Sequence, residues 1–322
     1  MLTAFLYAGQ GAQHAGMGKD LYEKFPAFAS VFDSAKLDFD IHEMAFEDPE
    51  NKLIKTEYTQ PCMVAFAAGV TAILRENHIE PDYVAGLSLG EYSALESASV
   101  LTAKEAIELA AFRGKEMAKA SCGIECGMSA VLNLDEEKLS ECCNKASLET
   151  KQKVMICNLN CPGQLVIGGQ KKAVDRAGEL ARECGAKRVL PLAVSGPFHT
   201  SFMEPAGNAL KKKFKEINFK KPQTKVLYDF LGDENKSGFS IEDLLVDQVQ
   251  NPVRMESIIR KLFDLGVREF IEVGPGHALS GFVKRTAKAM NIDDFTIVSL
   301  ETAEEIENFL NEKKSLQEEK IS

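Results

Sequence analysis

The sequence lacks a basic surplus. Of its 322 residues, 38 are Lys or Arg and 48 are Asp or Glu, for a formal net charge of −10. Broad binding to a nucleic-acid backbone needs the opposite balance, so nucleic acid is not an expected partner. A long apolar run is also missing. The longest nearly apolar stretch, PCMVAFAAGVTAIL from Pro61 to Leu74, falls short of the ~20 residues of a membrane-crossing helix and reads as a buried one. No basic, apolar and small-residue series opens the chain, so no secretory signal is expected and the expected location is the cytoplasm. Tight zinc-type spacing is absent among the eight cysteines. Cys122/Cys126 and Cys157/Cys161 are spaced C-x3-C, and Cys142 and Cys143 are adjacent. Reduced thiols and no metal are the expectation. There is no internal repeat and no long low-complexity linker. With 45% hydrophobic residues, the chain can bury one large core or two smaller ones.

What is present is an alternation of strand-like and helix-like segments. LTAFLYAGQGAQ opens as an apolar strand, Leu2 to Tyr7, that runs into glycines. A helical segment leads to Thr59-Gln60-Pro61, and Pro61 suits the first position of the apolar helix that follows. Tyr83-Val84-Ala85 reads as a short strand and Glu91 to Ala98 as a helix. From residue 126 the rhythm changes. GMSAVLNL is strand-like and DEEKLSECCNKASLE helical; VMICNLN and QLVIGG are strands joined by a Pro162-Gly163 turn. KKAVDRAGELARECGA is helical with Gly185 as its C-cap, and KRVLPLAV is a last strand. That β-α-β-β-α-β order is the ferredoxin-like split βαβ pattern. TKVLYDF, VREFIEVGPG and TIVSL supply later strands, and GFVKRTAKAM a helix. The expected fold class is therefore α/β. A large subdomain would cover 1–125 and 197–310, with a ferredoxin-like small subdomain inserted at 126–196. A charged C-terminal tail, 311–322, is expected to fray.

Between the Tyr83 strand and the Glu91 helix stands Gly86-Leu87-Ser88-Leu89-Gly90, a G-x-S-x-G pentapeptide. The pattern recurs by chance, so its context decides. A strand before it and a helix after it are what a nucleophile elbow requires. N–H groups at the helix start then point toward the serine. A serine hydroxyl also needs a base, and histidine is the usual one. His42 and His78 lie in mixed polar segments, and His14 follows the first glycine loop. His199, in VSGPFHTSF on a rigid turn at a domain junction, is the first candidate; His277, after Gly274-Pro275-Gly276, is the second. One oxyanion donor would be the N–H of Leu89. Another would come from Gly9-Gln10-Gly11, because loops at the carboxyl ends of parallel strands gather at one crevice. Arg113 lies beside Gly114 on an otherwise apolar helical face in AIELAAFRGKEMAKA. Its planar fork fits a carboxylate, and hence a substrate that carries one.

With these residues in place, the chain resembles the malonyl-CoA:acyl carrier protein transacylases, the stand-alone acyltransferases of dissociated fatty acid synthesis. The matching blocks run in family order: GQGAQ at 9–13, TQP at 59–61, GLSLGEYSAL at 86–95, RGKEM at 113–117, NLNCPGQLVIGG at 158–169, GPFH at 196–199, QVQNPV at 248–253 and EVGPG at 272–276. The resemblance implies an α/β-hydrolase-like large subdomain with an inserted ferredoxin-like small one. It implies Ser88 as the acyl-carrying nucleophile, His199 as general base and Arg113 as partner of the malonyl carboxylate. It further implies the Gln10 and Leu89 backbone N–H groups as oxyanion hole, and the Gln248 backbone carbonyl as the group that orients the histidine. Phe198 looks like the malonyl-selective version of its position, its bulk disfavouring an α-methyl group. Asn160 is a candidate contact to substrate or pantetheine.

There are departures. Leu87 stands where many members have His, and Ala8 where the loop often has Pro; neither removes a group with an implied chemical role. The implied partners are malonyl-CoA and acyl carrier protein, with no cofactor and a monomeric enzyme. The carrier is expected to be acidic. Lys211, Lys212, Lys213, Lys215, Lys220, Lys221 and Lys225, with Lys187/Arg188 and Lys284/Arg285, are candidate docking groups. Rival readings are a serine esterase or thioesterase, a non-catalytic carrier-binding module, and a trans-acting acyltransferase of a polyketide pathway. Slow CoA release that carrier protein accelerates would separate transfer from hydrolysis.

Overall fold

The run Leu2–Tyr7 is buried from Thr3 onward, as a strand covered on both faces must be. In the computed structural model, which describes residues 1–236 and 238–321, it is the first of ten strands. These are β1 (Leu2–Tyr7), β2 (Tyr83–Gly86), β3 (Cys126–Leu132), β4 (Val154–Cys161), β5 (Gln164–Gln170), β6 (Arg188–Pro191), β7 (Lys225–Tyr228), β8 (Asp233–Glu234), β9 (Val267–Val273) and β10 (Thr296–Leu300). They form two sheets. The larger has the order β10-β9-β1-β2-β7-β8. Its neighbours are parallel except for the short antiparallel pair β7 and β8. The carboxyl ends of β1, β2 and β7 therefore open side by side, and the chain leaves them as the Gly9 loop, the Ser88 turn and Asp229.

The smaller sheet has the order β4-β5-β3-β6, antiparallel throughout. The helices Glu136–Thr150 and Lys171–Glu183 join its strands. Val131, Leu165 and Ile167 of the sheet pack with Leu139, Val174 and Leu180 of those helices in a core of their own. This is the β-α-β-β-α-β arrangement read from the sequence, so the molecule is α/β with a second, ferredoxin-like sheet. The two parts are joined at the β4 edge. Val253 N–H donates to Cys157 O at 3.0 Å, and Leu159 N–H to Val253 O at 2.8 Å.

Two expectations need correction. Pro61 does not open its helix; the helix runs Thr56–Glu76 with Pro61 inside it. So near the start the proline forfeits little more than one backbone bond, and burial all round, from Thr59 through Val70, outweighs that loss. The charged C-terminal stretch, expected to fray, continues a helix, Ala303–Ile321; residue 322 lies outside the described residues. The helix is anchored by Ile306, Phe309 and Leu310, which are buried in the main core. Among the described residues no helix is long and apolar enough to cross a membrane.

Candidate active site

Ser88 stands between β2 and the helix Gly90–Ser97 with φ of +55°. A non-glycine residue pays roughly 1–3 kcal/mol for such a conformation and keeps it only where its surroundings enforce it. The two glycines of the pentapeptide do part of this. A Cβ on Gly86 would stand 1.9 Å from the carbonyl carbon of Gly90, and one on Gly90 would stand 2.2 Å from Tyr7 O. The turn is thus packed directly against β1. Leu87 N–H donates to Tyr7 O at 3.0 Å and Gly90 N–H to Leu87 O at 3.0 Å.

His199 reaches this turn from the segment after β6. It too has positive φ, +58°, and is 4% exposed. Nε2 lies 2.6 Å from Ser88 Oγ, and Nδ1 lies 2.8 Å from Gln248 O. A carbonyl oxygen only accepts, so Nδ1 carries the proton. Nε2 is left as a lone pair facing the serine hydroxyl. Burial, reinforced by the nearby Arg113 charge, lowers the His199 pKa to about 4. The ring is therefore neutral, and among the described residues a carbonyl rather than a carboxylate stands behind it. His277, the other candidate, is an exposed residue at the start of the helix Ala278–Met290 and is not part of this set.

Arg113 comes from the helix Ala103–Ser121, which lies close to the Thr56 helix because Gly114 has no side chain; a Cβ there would stand 2.6 Å from Thr56 O. The guanidinium is 1% exposed. Nη1 donates to Gln60 Oε1 at 2.9 Å. Nη2 donates to Gln248 Oε1 at 3.1 Å and to Ser88 Oγ at 3.2 Å. Its carbon lies 5.6 Å from the centre of the Tyr92 ring. Its hydrogen-bond partners are thus neutral amides and a hydroxyl, and Nε has no partner among the described residues. A buried cation held only by neutral groups favours an anionic guest.

The loop after β1 closes the other side. Gly9 is so near the elbow that a Cβ would stand 2.6 Å from Leu87 O. The Gln10 side chain donates to Thr56 Oγ1 at 3.2 Å, which is itself 2.9 Å from Ser195 Oγ. Among the described residues neither the Gln10 nor the Leu89 backbone N–H has an acceptor in the turn and loop hydrogen bonding. A cavity of about 160 Å³ joins Gln10, Ser88, Arg113, Asn160, Phe198 and His199. Its apolar wall is built from both parts of the fold, including Met117, Met128 and Val166. Asn160 is buried, and its Oδ1 has no partner among the described residues. A larger open hollow of about 420 Å³ beside Phe112 and Lys213 contains none of these groups, so size alone does not mark the site.

Sequence reasoning missed several contributors. It gave Gln248 only a backbone role, yet the side chain also bonds Arg113 and donates to Ser88 O at 2.6 Å. Gln60 grips Arg113 but was visible only as part of TQP. Asp229 and Glu91 are fully buried behind Ser88. The one available signal was an acidic residue inside the apolar run TKVLYDF. Glu91 carried none, because an acid in the first turn of a helix is ordinary.

Comparison with known proteins identifies the family. The family model described as an acyl transferase domain matches residues 4–320. A malonyl CoA-acyl carrier protein transacylase of Bacillus subtilis is 41% identical over 289 residues, 89% of this chain and 91% of the relative. One of Staphylococcus aureus is 37% identical over 309 residues, 95% and 98% of the two chains. The crystal structure of a malonyl CoA-acyl carrier protein transacylase from Clostridium perfringens matches with a TM-score of 0.92 at 35% identity, covering 100% of both chains. A malonyl-transacylase in complex with its type II PKS acyl-carrier protein matches with a TM-score of 0.90 at 35% identity, over 97% of this chain and 100% of the other. This chain belongs to the acyl transferase family and, within it, to the malonyl CoA-acyl carrier protein transacylases.

Proposed function

We propose that this protein moves the malonyl group from malonyl-CoA to the phosphopantetheine thiol of acyl carrier protein through a malonyl ester on Ser88, supplying fatty acid biosynthesis. The observation that carries the reading is the convergence of a neutral imidazole and a buried guanidinium on one serine oxygen. Ser88 Oγ attacks the thioester carbonyl while His199 Nε2 takes the hydroxyl proton. The Gln10 and Leu89 N–H groups receive the oxyanion. Such a donor is typically worth about 2.7–4 kcal/mol in the transition state. The imidazolium, steadied by the Gln248 carbonyl at Nδ1, returns the proton to the departing CoA sulfur. The carrier thiol then gives its proton to His199, and its sulfur attacks the ester. Ser88 Oγ leaves and recovers the proton. Neither half needs a metal or a redox cofactor.

Arg113 binds the malonyl carboxylate in this scheme, turning from the serine oxygen to the guest. Phe198 limits the space at the malonyl α-carbon, and Asn160 offers its free oxygen to the substrate amide. Residues 126–196 act as a subdomain inserted between 1–125 and 197–310, and 311–322 form a charged extension. The protein works as a cytoplasmic monomer, with no nucleic-acid partner, a reading supported by its net charge of −10. The same chemistry would serve a polyketide carrier, as the related complex illustrates. The Arg113 role is tested by Arg113→Ala. Its kcat/KM for malonyl-CoA should fall by about 10–100-fold, since a lost bond to a charged group is worth about 1.5–3 kcal/mol, while acetyl-CoA use holds or rises. Equal loss with both thioesters would remove Arg113 from carboxylate recognition.

A further inference from the structure

Two carboxyl groups that this mechanism does not use lie directly behind the nucleophile. Asp229 follows β7 and Glu91 lies in the first turn after the elbow; both are 0% exposed. They form a closed circuit with Ser88. Ser88 N–H donates to Asp229 Oδ2 at 2.6 Å. Asp229 N–H donates to Glu91 Oε2 at 2.8 Å. Glu91 N–H donates to Ser88 O at 3.2 Å. The Gln248 amide completes the arrangement, donating to Ser88 O at 2.6 Å and to Asp229 Oδ2 at 3.3 Å. Both peptide groups of Ser88 are therefore held from outside the turn.

Burial disfavours ionisation of both acids and pushes their carboxyl pKa values up. Among the described residues the buried guanidinium nearby, that of Arg113, bonds Gln60, Gln248 and Ser88 rather than either of them. Among the described residues neither acid has a basic hydrogen-bond partner, and acids so placed are costly to retain in a core. What Asp229 does contact is the N–H of a residue in a strained conformation, and strain of that kind persists only where neighbours over-determine it. A carboxyl oxygen is a strong acceptor for such an N–H.

We propose that Asp229 is a positioning residue of the acylation step: with its backbone N–H held by Glu91, its carboxyl oxygen, shared with the Gln248 amide, fixes the Ser88 peptide so that Oγ stays within reach of both His199 and Arg113. The inference rests on the reading of Ser88 as the acyl-carrying nucleophile. Asp229 touches neither the substrate cavity nor the reacting oxygen, so its loss acts on the rate of attack and leaves malonyl-CoA binding alone.

The test is rapid-quench acylation by malonyl-CoA, followed by intact mass, for the parent protein, Asp229→Ala and Asp229→Asn. Alanine removes the acceptor, while asparagine keeps an oxygen for Ser88 N–H. Alanine should slow maximal acylation by about 10–100-fold, the scale on which small misplacements of reacting groups act. The malonyl-CoA concentration for half-maximal rate should stay within about twofold, and asparagine should recover most of the rate. Should alanine not fold, Asp229→Ser, whose hydroxyl stops short of the Ser88 N–H, is read in the same way. Alanine acylating at the parent rate overturns the assignment. So does asparagine as slow as alanine, or a change confined to half-saturation. A parent protein that forms no ester at all brings down the transferase reading itself; a parent that acylates beside unresponsive variants brings down only Asp229.

Discussion

His199 is backed by a backbone carbonyl and faces a guanidinium, and both facts govern its proton. The Gln248 carbonyl fixes the tautomer, while burial and then Arg113 hold the pKa at about 4 against an ordinary 6.5. In the proposed mechanism the neutral form is the base, so activity should fall as pH drops through the folded-state value. The acylation rate should thus be nearly flat from pH 7.5 down to about 5.5 and decline only near pH 4, as read by the pH profile of the first half-reaction. A limb centred near pH 6.5 would mean that the imidazole is not held in this environment. At this scale the sequence was legible where chemistry leaves a local mark. Ser88 sits in a pentapeptide, Arg113 interrupts an apolar helical face, and His199 lies on a Gly-Pro turn. The choice between His199 and His277 needed tertiary distance. Asp229, Glu91 and the Gln248 side chain were missed because burial of an acid or amide behind a turn is a property of the whole core.

Elements bring these residues together through the carboxyl ends of parallel strands. β1 and β2 are neighbours, so the Gly9 loop and the Ser88 turn meet with no room for a side chain at the contact. Gly90→Ala would set a Cβ 2.2 Å from Tyr7 O and should destabilise the protein by about 1–3 kcal/mol or more. Gly281, inside the helix Ala278–Met290, meets nothing within 4 Å of an added Cβ. Gly281→Ala should therefore stabilise by about 0.5–1 kcal/mol through helix propensity. Urea midpoints of the two variants check the pair, and similar midpoints would contradict the close packing at the elbow. Element order was readable because strand and helix periods alternate cleanly. That held best in 126–191, where each helix of the small sheet has one apolar stripe. Pro61 misled because proline marks helix starts so often; a helix buried on every side tolerated it one turn later.

The whole molecule makes the site by closing one sheet over another. Ser88 and Arg113 come from the large part, as does Gln248, which bonds both, and Met128, Asn160 and Val166 come from the small one. His199 arrives on the segment that leaves the small sheet. The Val253 bridge to β4 and the Arg285 bond to Gln164 Oε1 at 3.0 Å tie the two together, so the cavity beside Ser88 is walled from both sides. Partial enclosure of that kind favours transfer over hydrolysis. Lys212, Lys215, Lys220 and Lys221 are exposed on this acidic chain, and we propose them as docking groups for the carrier. The central claim is a malonyl ester on Ser88 that a carrier thiol collects. Its direct measurement is the intact mass of the protein after malonyl-CoA, beside Ser88→Ala, then after phosphopantetheinylated carrier protein is added. The account predicts a malonyl adduct on the parent alone, stable in buffer and cleared by the carrier as malonyl-carrier appears. An adduct that persists in Ser88→Ala, or one that water clears to malonate as fast as the carrier does, would contradict it.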